Sequence, residues 1–415
     1  MRLNLQKIEN TMLSAALEVL KILSNYGEAL IVGGGPRDLI LGNKPKDFDI
    51  STNVPMNTIC RLFNSFDIGK NKEFGIVVVK HGNYIFEIAN FRADSTYSDN
   101  RHPDSIEFVK TFKEDTARRD FTINILGMDL EGNVIDYHNG LSDLNNKILR
   151  TVGNAQDRFK EDALRILRAI RFAVRFDLTI DESAVKAIEA LKWSLKNISA
   201  ERIKDELSKM VSYGSRKFSA ALELMDKLGL TEVIFESIKK WNLKGLNSLK
   251  EFNHYDFVTC LSIMFQTQLD SFESDYSIND IMDNLKFTNE EKKEITFILS
   301  NIAAYNNISS ISKKDALRIV SNGAFSKLRF VYVAITGTDF SEKTITEIAE
   351  YDIINEKRKV VNQVILTEHI IGRNFGMISE MVVDWMFAVM ESGKQLPNDK
   401  DIENFTRLTC LTCKK

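Results

Sequence analysis

The sequence predicts an α+β fold with a mixed sheet over about the first 150 residues, followed by an all-α region to the end of the chain. Short apolar runs bounded by glycine turns, which are typical of strands, are concentrated before residue 150. From about residue 158, apolar residues at helical spacing replace them. A chain of 415 residues has room for two or three domains, and we predict domains at 1–150, 151–230 and 231–415.

The first region alternates helices and strands. Residues 1–27 have apolar residues at helical spacing, and Ala29 to Val32 is a short apolar strand. A helix is expected from Pro55 to about residue 63, because proline is favoured in a first helical turn. Residues 75–80 and 84–91 read as two strands of a hairpin around Gly82 and Asn83. Further short strands are expected at 106–109, 134–136 and 147–149.

A glycine turn and a pair of aspartates come next to each other in this region. Gly33–Gly35 follow the first strand and lead into a short helical segment, where backbone N–H groups can approach a phosphate closely. Asp47 and Asp49 stand two residues apart, and on a strand such residues share a face. Two carboxylates, completed by water and phosphate, suit Mg²⁺. Each feature alone is usually a plain turn or a solvated strand end, but their order indicates nucleoside-triphosphate chemistry.

Two later features fit the same chemistry. Glu87 is a single charge among the apolar residues of its strand, so it either faces water or supplies a third carboxylate near the aspartates. Arg118 and Arg119 directly precede Asp120. These three residues form either a surface ion-pair cluster or a group that binds a triphosphate and a ribose hydroxyl.

Residues 158–176 predict one helix with an arginine face. At about 100° per residue its five arginines fall within an arc of roughly 140°, with apolar residues opposite. A charged helix face is usually only solvated, but arginine suits phosphates and base edges better than lysine does. From Arg150 to Lys217 there are 15 Lys/Arg against 10 Asp/Glu, in a chain whose net charge is −3. The positive charge that could bind a nucleic acid is therefore concentrated in this segment and is not spread over the chain.

Composition limits the remaining possibilities. The hydrophobic content of 44% and charged content of 27% are those of an ordinary globular protein. The four cysteines do not form a disulfide framework, which favours a reducing compartment. No apolar run approaches the roughly 18–20 residues of a membrane span. We expect a cytoplasmic protein without membrane association, and no protein partner is evident.

In their order, these motifs resemble the signature of the class II nucleotidyltransferases of the DNA polymerase β superfamily, which include tRNA CCA-adding enzymes and bacterial poly(A) polymerases. The resemblance covers about residues 28–210. It implies a nucleotidyltransferase head at 1–150, a neck for nucleotide selection and RNA binding at 151–230, and a tRNA-binding body and tail at 231–415. Pro36 stands where the family usually has valine, which a first helical turn tolerates.

The resemblance also assigns roles to individual residues. The expected catalytic carboxylates are Asp47, Asp49 and Glu87, and Asp47 and Asp49 are expected to hold two Mg²⁺ ions. The positions expected to bind the nucleotide are Gly33, Gly34, Arg37, Arg119, Asp120, Asp162, Arg165, Arg168 and Arg171. Asp136, Gly140 and Asp143 resemble a hinge motif, and Ser199, Glu201 and Arg202 resemble a neck motif.

The implied reaction is attack of an RNA 3′-hydroxyl on the α-phosphate of CTP or ATP, with release of pyrophosphate. Asp162 and Arg165 fit base selection, because a carboxylate accepts from an exocyclic amine and a guanidinium donates to ring nitrogen and carbonyl acceptors. Uracil and guanine present mismatched groups, which leaves buried polar atoms unpaired at about 1–3 kcal/mol each. The protein can then select cytosine or adenine without a nucleic-acid template.

Within the family, complete CCA addition to the 3′ end of tRNA, through its acceptor and T arm, is the favoured prediction. Residues 72–77 resemble the corresponding segment of CCA-adding enzymes, and residues 97–103 resemble the loop of enzymes that add both C and A. A poly(A) polymerase and an A-adding enzyme are the alternatives within the family. A catalytically inactive RNA-binding protein is the alternative from another class, and the intact Asp47, Asp49 and Arg119 argue against it.

Overall fold

The computed structural model describes residues 1–66, 74–94, 105–238, 241–243, 245–251, 253–269, 278–339, 342–392 and 394–413. The chain divides into two compact units. The first comprises residues 1–213 and 217–239, and the second comprises 214–216 and 240–415. The segments 72–73 and 97–103, which carry part of the expected resemblance to CCA-adding enzymes, lie outside the described residues.

The first unit contains a mixed sheet. Among the described residues, seven strands pair in the order β3-β4-β5-β2-β1-β8-β9, with β2 and β5 parallel and the other neighbours antiparallel. The strands are β1 (Ala29–Val32), β2 (Asp49–Thr52), β3 (Asn64–Phe66), β4 (Ile76–His81), β5 (Tyr84–Asn90), β6 (Arg92–Asp94), β7 (Ile106–Phe108), β8 (Gly127–Met128), β9 (Val134–Ile135), β10 (Ile148–Leu149) and β11 (Thr179–Ile180).

Helices complete this unit. They are α1 (Thr11–Leu23), α2 (Gly34–Ile40), α3 (Met56–Leu62), α4 (Phe112–Thr116), α5 (Gly140–Asn145), α6 (Ala155–Glu161), α7 (Leu164–Phe176), α8 (Glu182–Leu191), α9 (Ala200–Val211), α10 (Ser215–Lys227) and α11 (Thr231–Ile234). α1 begins at an Asn10 cap whose side chain accepts from the Leu13 N–H. Its buried face packs on the sheet core around Ile31, Ile50 and Ile88. The expected first helix, first strand and hairpin are confirmed.

The prediction of a single helix over residues 158–176 is wrong. The structure ends α6 at Glu161 and begins α7 at Leu164, with Asp162 in an extended conformation between them (φ −150°, ψ 104°). The Asp162 carboxylate accepts from the Leu164 N–H, and it also pairs with Arg202 on α9. The contact with α9 comes from a residue 40 positions away, so helical periodicity could not reveal the break.

Every secondary-structure element that the structure describes in the second unit is a helix, as expected. Its helices are α12 (Ser248–Glu251), α13 (Phe257–Gln268), α14 (Ile278–Asn284), α15 (Asn289–Asn306), α16 (Lys313–Val320), α17 (Phe325–Thr336), α18 (Glu342–Thr367), α19 (Arg373–Glu391) and α20 (Asp399–Cys413). α15 begins with a capping box between Thr288 and Glu291. Among the helices that the structure describes, none is long and apolar enough to cross a membrane.

Candidate active site

Three carboxylates meet at one edge of the sheet in the first unit. Ile50 on β2 pairs with Ile88 on the parallel strand β5, so the preceding residues Asp49 and Glu87 lie side by side. Asp47 stands two residues before the start of β2 at Asp49, outside the strand. All three side chains are exposed and line one cleft of about 690 Å³. The strand register therefore brings Glu87 to the two aspartates rather than leaving it on a separate solvated face.

The electrostatics of Asp49 show that these charges affect one another. Loss of surrounding water in the cleft, followed by repulsion from Asp47 and Glu87, raises the pKa of Asp49 to about 6, while Arg119 opposes the shift. A carboxylate whose negative neighbours exceed its positive ones favours the approach of a cation. The cluster is thus suited to a bound positive charge.

The donor set fits Mg²⁺ bound together with a nucleotide. Within the described residues no group of three or more His, Cys, Asp or Glu side chains is arranged to hold a metal by itself. Mg²⁺ does not need such a cage, because it keeps several waters and typically takes one or two carboxylates plus substrate phosphates. Asp47 and Asp49 supply two carboxylates that open into the cleft.

The glycine turn forms the neighbouring wall. Gly33 adopts φ +76° and ψ −128°, a conformation that is essentially limited to glycine, and caps the start of α2. A Cβ at Gly35 would lie 2.7 Å from the Phe48 ring, so that close approach also requires glycine. Gly33 and Gly34 line the cleft, as expected of residues that face a nucleotide.

Arg37 lies deeper than a freely exposed ligand-binding arginine. It is 3% exposed, and its guanidinium donates to Asp38 Oδ1 at 2.9 and 2.7 Å and also to the Asn124 side-chain carbonyl. It stacks 4.4 Å from the Phe176 ring centroid. Burial lowers the pKa of Arg37, although the neighbouring Asp38 opposes the shift. Arg37 therefore joins the glycine turn to α7 while still lining the cleft.

A set of arginines lines the cleft beside the carboxylates. Arg119 donates to Ser51 Oγ at 3.1 Å and to Asp115. Asp120 accepts from Arg168 Nε at 2.9 Å and Nη2 at 2.5 Å. Burial alone would raise the pKa of Asp120, but the charge and hydrogen bonds of Arg168 outweigh it and hold that pKa below its usual value. The R-R-D motif is thus built into the cleft rather than solvated.

The pair expected to select the base lies on the same cleft. Asp162 accepts from Arg202 Nη2 at 2.7 Å through Oδ2, and from Nη1 at 3.3 Å through Oδ1. Arg165 donates to the main-chain carbonyls of Arg158 at 3.0 Å and Arg118 at 3.1 Å. Both side chains are oriented by protein contacts, a precondition for reading a base edge.

Arg171 is a second buried arginine of the cleft. It is 6% exposed, and its Nε donates to Glu206 at 2.6 Å while Nη1 donates to the Tyr213 hydroxyl at 3.0 Å. Its guanidinium lies 4.2 Å from the Phe172 ring centroid. Arg171 lines the cleft, but its hydrogen bonds join α7 to α9.

The sequence motifs gave no signal for Asp115, Ser51 or Asn124. Asp115 stands three and four residues before two arginines, a spacing that places them together on a helix, but such pairs usually lie in solvent. Only the structure shows that this carboxylate is buried.

The charge of the cleft suits a polyanion. Among the described residues, ten arginine or lysine side chains and six carboxylates line it. The carboxylates near β2 occupy one part, and arginines from the segment after α4 and from α7 surround the rest. The arrangement can hold a nucleoside triphosphate with a divalent cation at one end.

Two family models and several known proteins match this chain. Residues 29–150 match the family model described as the poly A polymerase head domain, and 177–242 match that described as the probable RNA and SrmB-binding site of polymerase A. The chain is 32% identical over 405 residues to the CCA-adding enzyme of Oceanobacillus iheyensis, covering 95% of this chain and 96% of that protein.

Solved structures agree on the fold. The Bacillus stearothermophilus CCA-adding enzyme in complex with CTP superimposes with a TM-score of 0.75 at 24% identity, covering 98% of this chain and 99% of that one. The Thermotoga maritima CCA-adding enzyme in complex with tRNA gives a TM-score of 0.64 at 19% identity, covering 99% and 97%. At these identities the superpositions show that the fold is shared.

Proposed function

The chain belongs to the family of the CCA-adding enzymes, and from this premise we propose that it adds C, C and A to the 3′ end of tRNA from CTP and ATP, with release of pyrophosphate. One observation carries the proposal. A single cleft brings the carboxylates Asp47, Asp49 and Glu87 together with Asp162 and Arg165. Chemistry at a phosphate and selection of a base can therefore act on one bound nucleotide.

The triphosphate is bound by the arginines of the cleft. Arg119 lies close enough to Asp49 to oppose the rise in the pKa of that carboxylate, so it can neutralise phosphate charge beside the carboxylates. Arg118 stands next to it, with its guanidinium 19% exposed. Guanidinium groups bind phosphate oxygens through paired hydrogen bonds. Asp120, held by Arg168, supplies an acceptor for a ribose hydroxyl.

Asp47 and Asp49 would hold Mg²⁺, with Glu87 beside them, and the bound metal would lower the pKa of the attacking 3′-hydroxyl and neutralise the leaving phosphates. Gly33 and Gly34 let the backbone approach the nucleotide closely, since neither has a Cβ. Positioning of the two reacting groups supplies much of the remaining acceleration.

Asp162 and Arg165 select the base. The two Asp162 oxygens face Arg202, and each carboxylate oxygen can accept more than one hydrogen bond. Arg202 therefore fixes the plane of the carboxylate while leaving acceptor capacity for an exocyclic amine of cytosine or adenine. Arg165, held by two main-chain carbonyls, donates to the adjoining ring acceptor.

The partner is tRNA, bound through its 3′ end and its acceptor and T arm. We keep the proposed division into domains: a head at 1–150, a neck at 151–230, and a tRNA-binding body and tail at 231–415. Support comes from the arginine-rich α7, which faces the cleft. A cytoplasmic location stays a prediction from the cysteine usage.

The test is extension of a tRNA transcript that lacks its last three nucleotides. The full chain with Mg²⁺ receives CTP alone, ATP alone, or both, and the products are resolved to single nucleotides. We expect two additions with CTP and three with both nucleotides. A long ladder with ATP would indicate a poly(A) polymerase, and one A added only to a C-C end an A-adding enzyme. No extension in any lane would indicate an RNA-binding protein.

A further inference from the structure

A buried carboxylate lies behind the two arginines of the triphosphate site. Asp115, near the end of α4, is 0% exposed. Its Oδ1 accepts from Arg118 Nε at 3.0 Å and Nη2 at 2.8 Å. Its Oδ2 accepts from Arg119 Nε at 3.1 Å and Nη2 at 2.7 Å. The Arg92 main-chain N–H donates to Oδ1 at 3.2 Å. Each guanidinium is thus held through two of its nitrogens by one carboxylate oxygen.

Both arginines line the cleft while they are bonded to Asp115. A guanidinium carries five N–H donors, and Asp115 accepts from two nitrogens of each side chain. Arg118 Nε also donates to the Arg92 main-chain carbonyl at 3.0 Å. The side chains of Arg118 and Arg119 are 19% and 18% exposed. Because two bonds fix the plane of each guanidinium, both side chains are ordered before any phosphate arrives.

The segment that carries Arg118 contacts the helices α6 and α7. Arg165 Nη2 donates to the main-chain carbonyl of Arg118 at 3.1 Å. Arg158 Nη1 donates to the carbonyl of Ala117 at 3.0 Å. These contacts hold the main chain that follows Asp115 beside α6 and α7.

Asp115 stays ionised in this environment. Burial alone would raise the pKa of Asp115, but the charges of Arg119 and Arg118 outweigh burial and hold the pKa below its usual value. Buried charges are costly unless they are paired and hydrogen-bonded, and this one is. Its α4 helix is fixed in turn by a capping box between Thr111 and Glu114.

We propose that Asp115 is a positioning residue: it holds Arg118 and Arg119 in the orientation that binds the nucleotide triphosphate. The inference rests on the proposed function, since it assumes that the cleft binds a nucleoside triphosphate. It adds a residue that touches neither substrate nor reacting atoms. Its effect falls on the phosphates rather than on the remainder of the nucleotide.

The experiment compares the affinities of the full chain for CTP and CMP by calorimetry. Asp115→Asn keeps the size of the side chain but removes its charge and turns one acceptor into a donor facing an arginine. We expect CTP affinity to fall about 10- to 100-fold, the cost of misplaced binding groups, while CMP affinity is unchanged. The tRNA extension assay should show the same loss as a raised KM for CTP with a smaller change in kcat.

The matched control is Glu114→Gln, which removes the adjacent carboxylate charge. Glu114 accepts from the Thr111 main-chain N–H and hydroxyl and is bonded to neither arginine in the contacts described here. We expect CTP and CMP affinities like those of the wild type. Thermal melts of both variants confirm that the protein is folded at the assay temperature.

Four outcomes would contradict the inference, and the last of them would also contradict the proposed function. Wild-type CTP affinity in Asp115→Asn would overturn the inference, as would an equal loss of CTP and CMP, which indicates a structural role alone. If that variant melts below the assay temperature, Arg118→Lys replaces it: lysine keeps the charge but cannot make the paired contact with Asp115, and unchanged CTP affinity would contradict the inference. A wild-type chain that bound CTP no better than CMP would instead overturn the proposed function together with it.

Discussion

The ion pairs of the two units differ in how deeply their acidic partners can be buried. Some pairs of the first unit have a buried acidic partner: the side chains of Asp115 and Glu206 are 0% and 1% exposed, and that of Asp38 is 7% exposed. Other pairs of the first unit lie in solvent, such as that of Glu182. Among the described pairs of the second unit, the acidic partners are 22% exposed or more, with Asp339 at 44% and Glu380 at 34%. Within the described residues, the cost of removing an acidic partner from water therefore falls on the first unit.

This difference in burial indicates which unit holds the functional site. Exposed ion pairs contribute about 0–1 kcal/mol and serve mainly to keep a surface solvated. Buried pairs are weak evidence for stability, because desolvation offsets their attraction. Clusters of buried and perturbed charges around a cleft are typical of sites that bind or transform a ligand. On this reasoning the chemistry lies in the first unit.

The largest effect is expected from the exposed carboxylates of the cleft. The double variant Asp47→Ala/Asp49→Ala removes the oxygens that would hold Mg²⁺, a contribution of several kcal/mol, so tRNA extension should fall about 10³-fold or more. Single-turnover extension measures the loss. The single variant Asp49→Asn should melt at a higher temperature than the wild type, because it removes a charge that burial and repulsion from Asp47 and Glu87 disfavour. Full activity in the double variant would contradict the proposed site.

Breaking the buried pair between α7 and α9 should cost the most stability. Glu206→Gln leaves Arg171 buried without a charged partner, and the free energy of unfolding should fall by about 3–5 kcal/mol. Urea unfolding measures it. A loss below 1 kcal/mol would show that Arg171 reaches solvent more easily than its burial indicates.

A smaller effect is expected on the selection of the base. Asp162→Ala removes the acceptor for an exocyclic amine, so discrimination between CTP and UTP should fall by about 1–3 kcal/mol, or roughly 10- to 100-fold. The ratio of kcat/KM for the two nucleotides measures it. Asp157→Asn is the control, because it removes an exposed carboxylate charge from the nearby helix α6 at a residue that does not line the cleft. Unaltered discrimination in Asp162→Ala would exclude it from base selection.

Acid stability should separate the buried pairs from the exposed ones. The folded pKa of Asp120 lies below its ordinary value of 3.8, so its contribution to stability is present above that value and is lost as pH falls through the folded pKa. Asp120→Asn should therefore flatten the fall in Tm below about pH 4. Thermal melts from pH 7 to 2.5 record it, and an unchanged acid slope would contradict the pairing with Arg168.

The smallest effect is expected in the second unit. Asp339→Asn breaks an exposed pair with Arg329, and the free energy of unfolding should change by less than about 1 kcal/mol. tRNA extension should keep its wild-type rate. A loss comparable with that of Glu206→Gln would remove the contrast between the units.

The sequence predicted the structure well where a local residue pattern and the neighbouring motifs point to the same element. Apolar runs on either side of the turn at Gly82 and Asn83 predicted β4 and β5. The parallel register of β5 with β2 places Glu87 beside Asp49, which was one of the two alternatives that the sequence left open. The order of the motifs indicated the cleft before any contact was known. The division into strands first and helices afterwards followed from periodicity alone.

Contacts distant in sequence explain what was missed. At the break, the Asp162 carboxylate accepts from the Leu164 N–H and pairs with Arg202 on another helix, and the continuous amphipathic pattern of residues 158–176 concealed it. Asp115 stands in a strongly polar segment that reads as surface, and its burial arises only because the arginines around it supply the hydrogen bonds. Arg37 likewise reads as exposed beside a glycine turn, yet it packs against Phe176 of α7.

Hydrogen–deuterium exchange with and without CTP and Mg²⁺ tests the central claim most directly, namely that the charged cleft of the first unit holds the nucleotide. The full wild-type chain is used, with CMP in a parallel sample. We predict protection confined to residues 33–51, 115–124 and 158–176, the segments that supply most of the lining of the cleft. Protection that appeared in residues 278–413 and was absent from these segments would contradict the account.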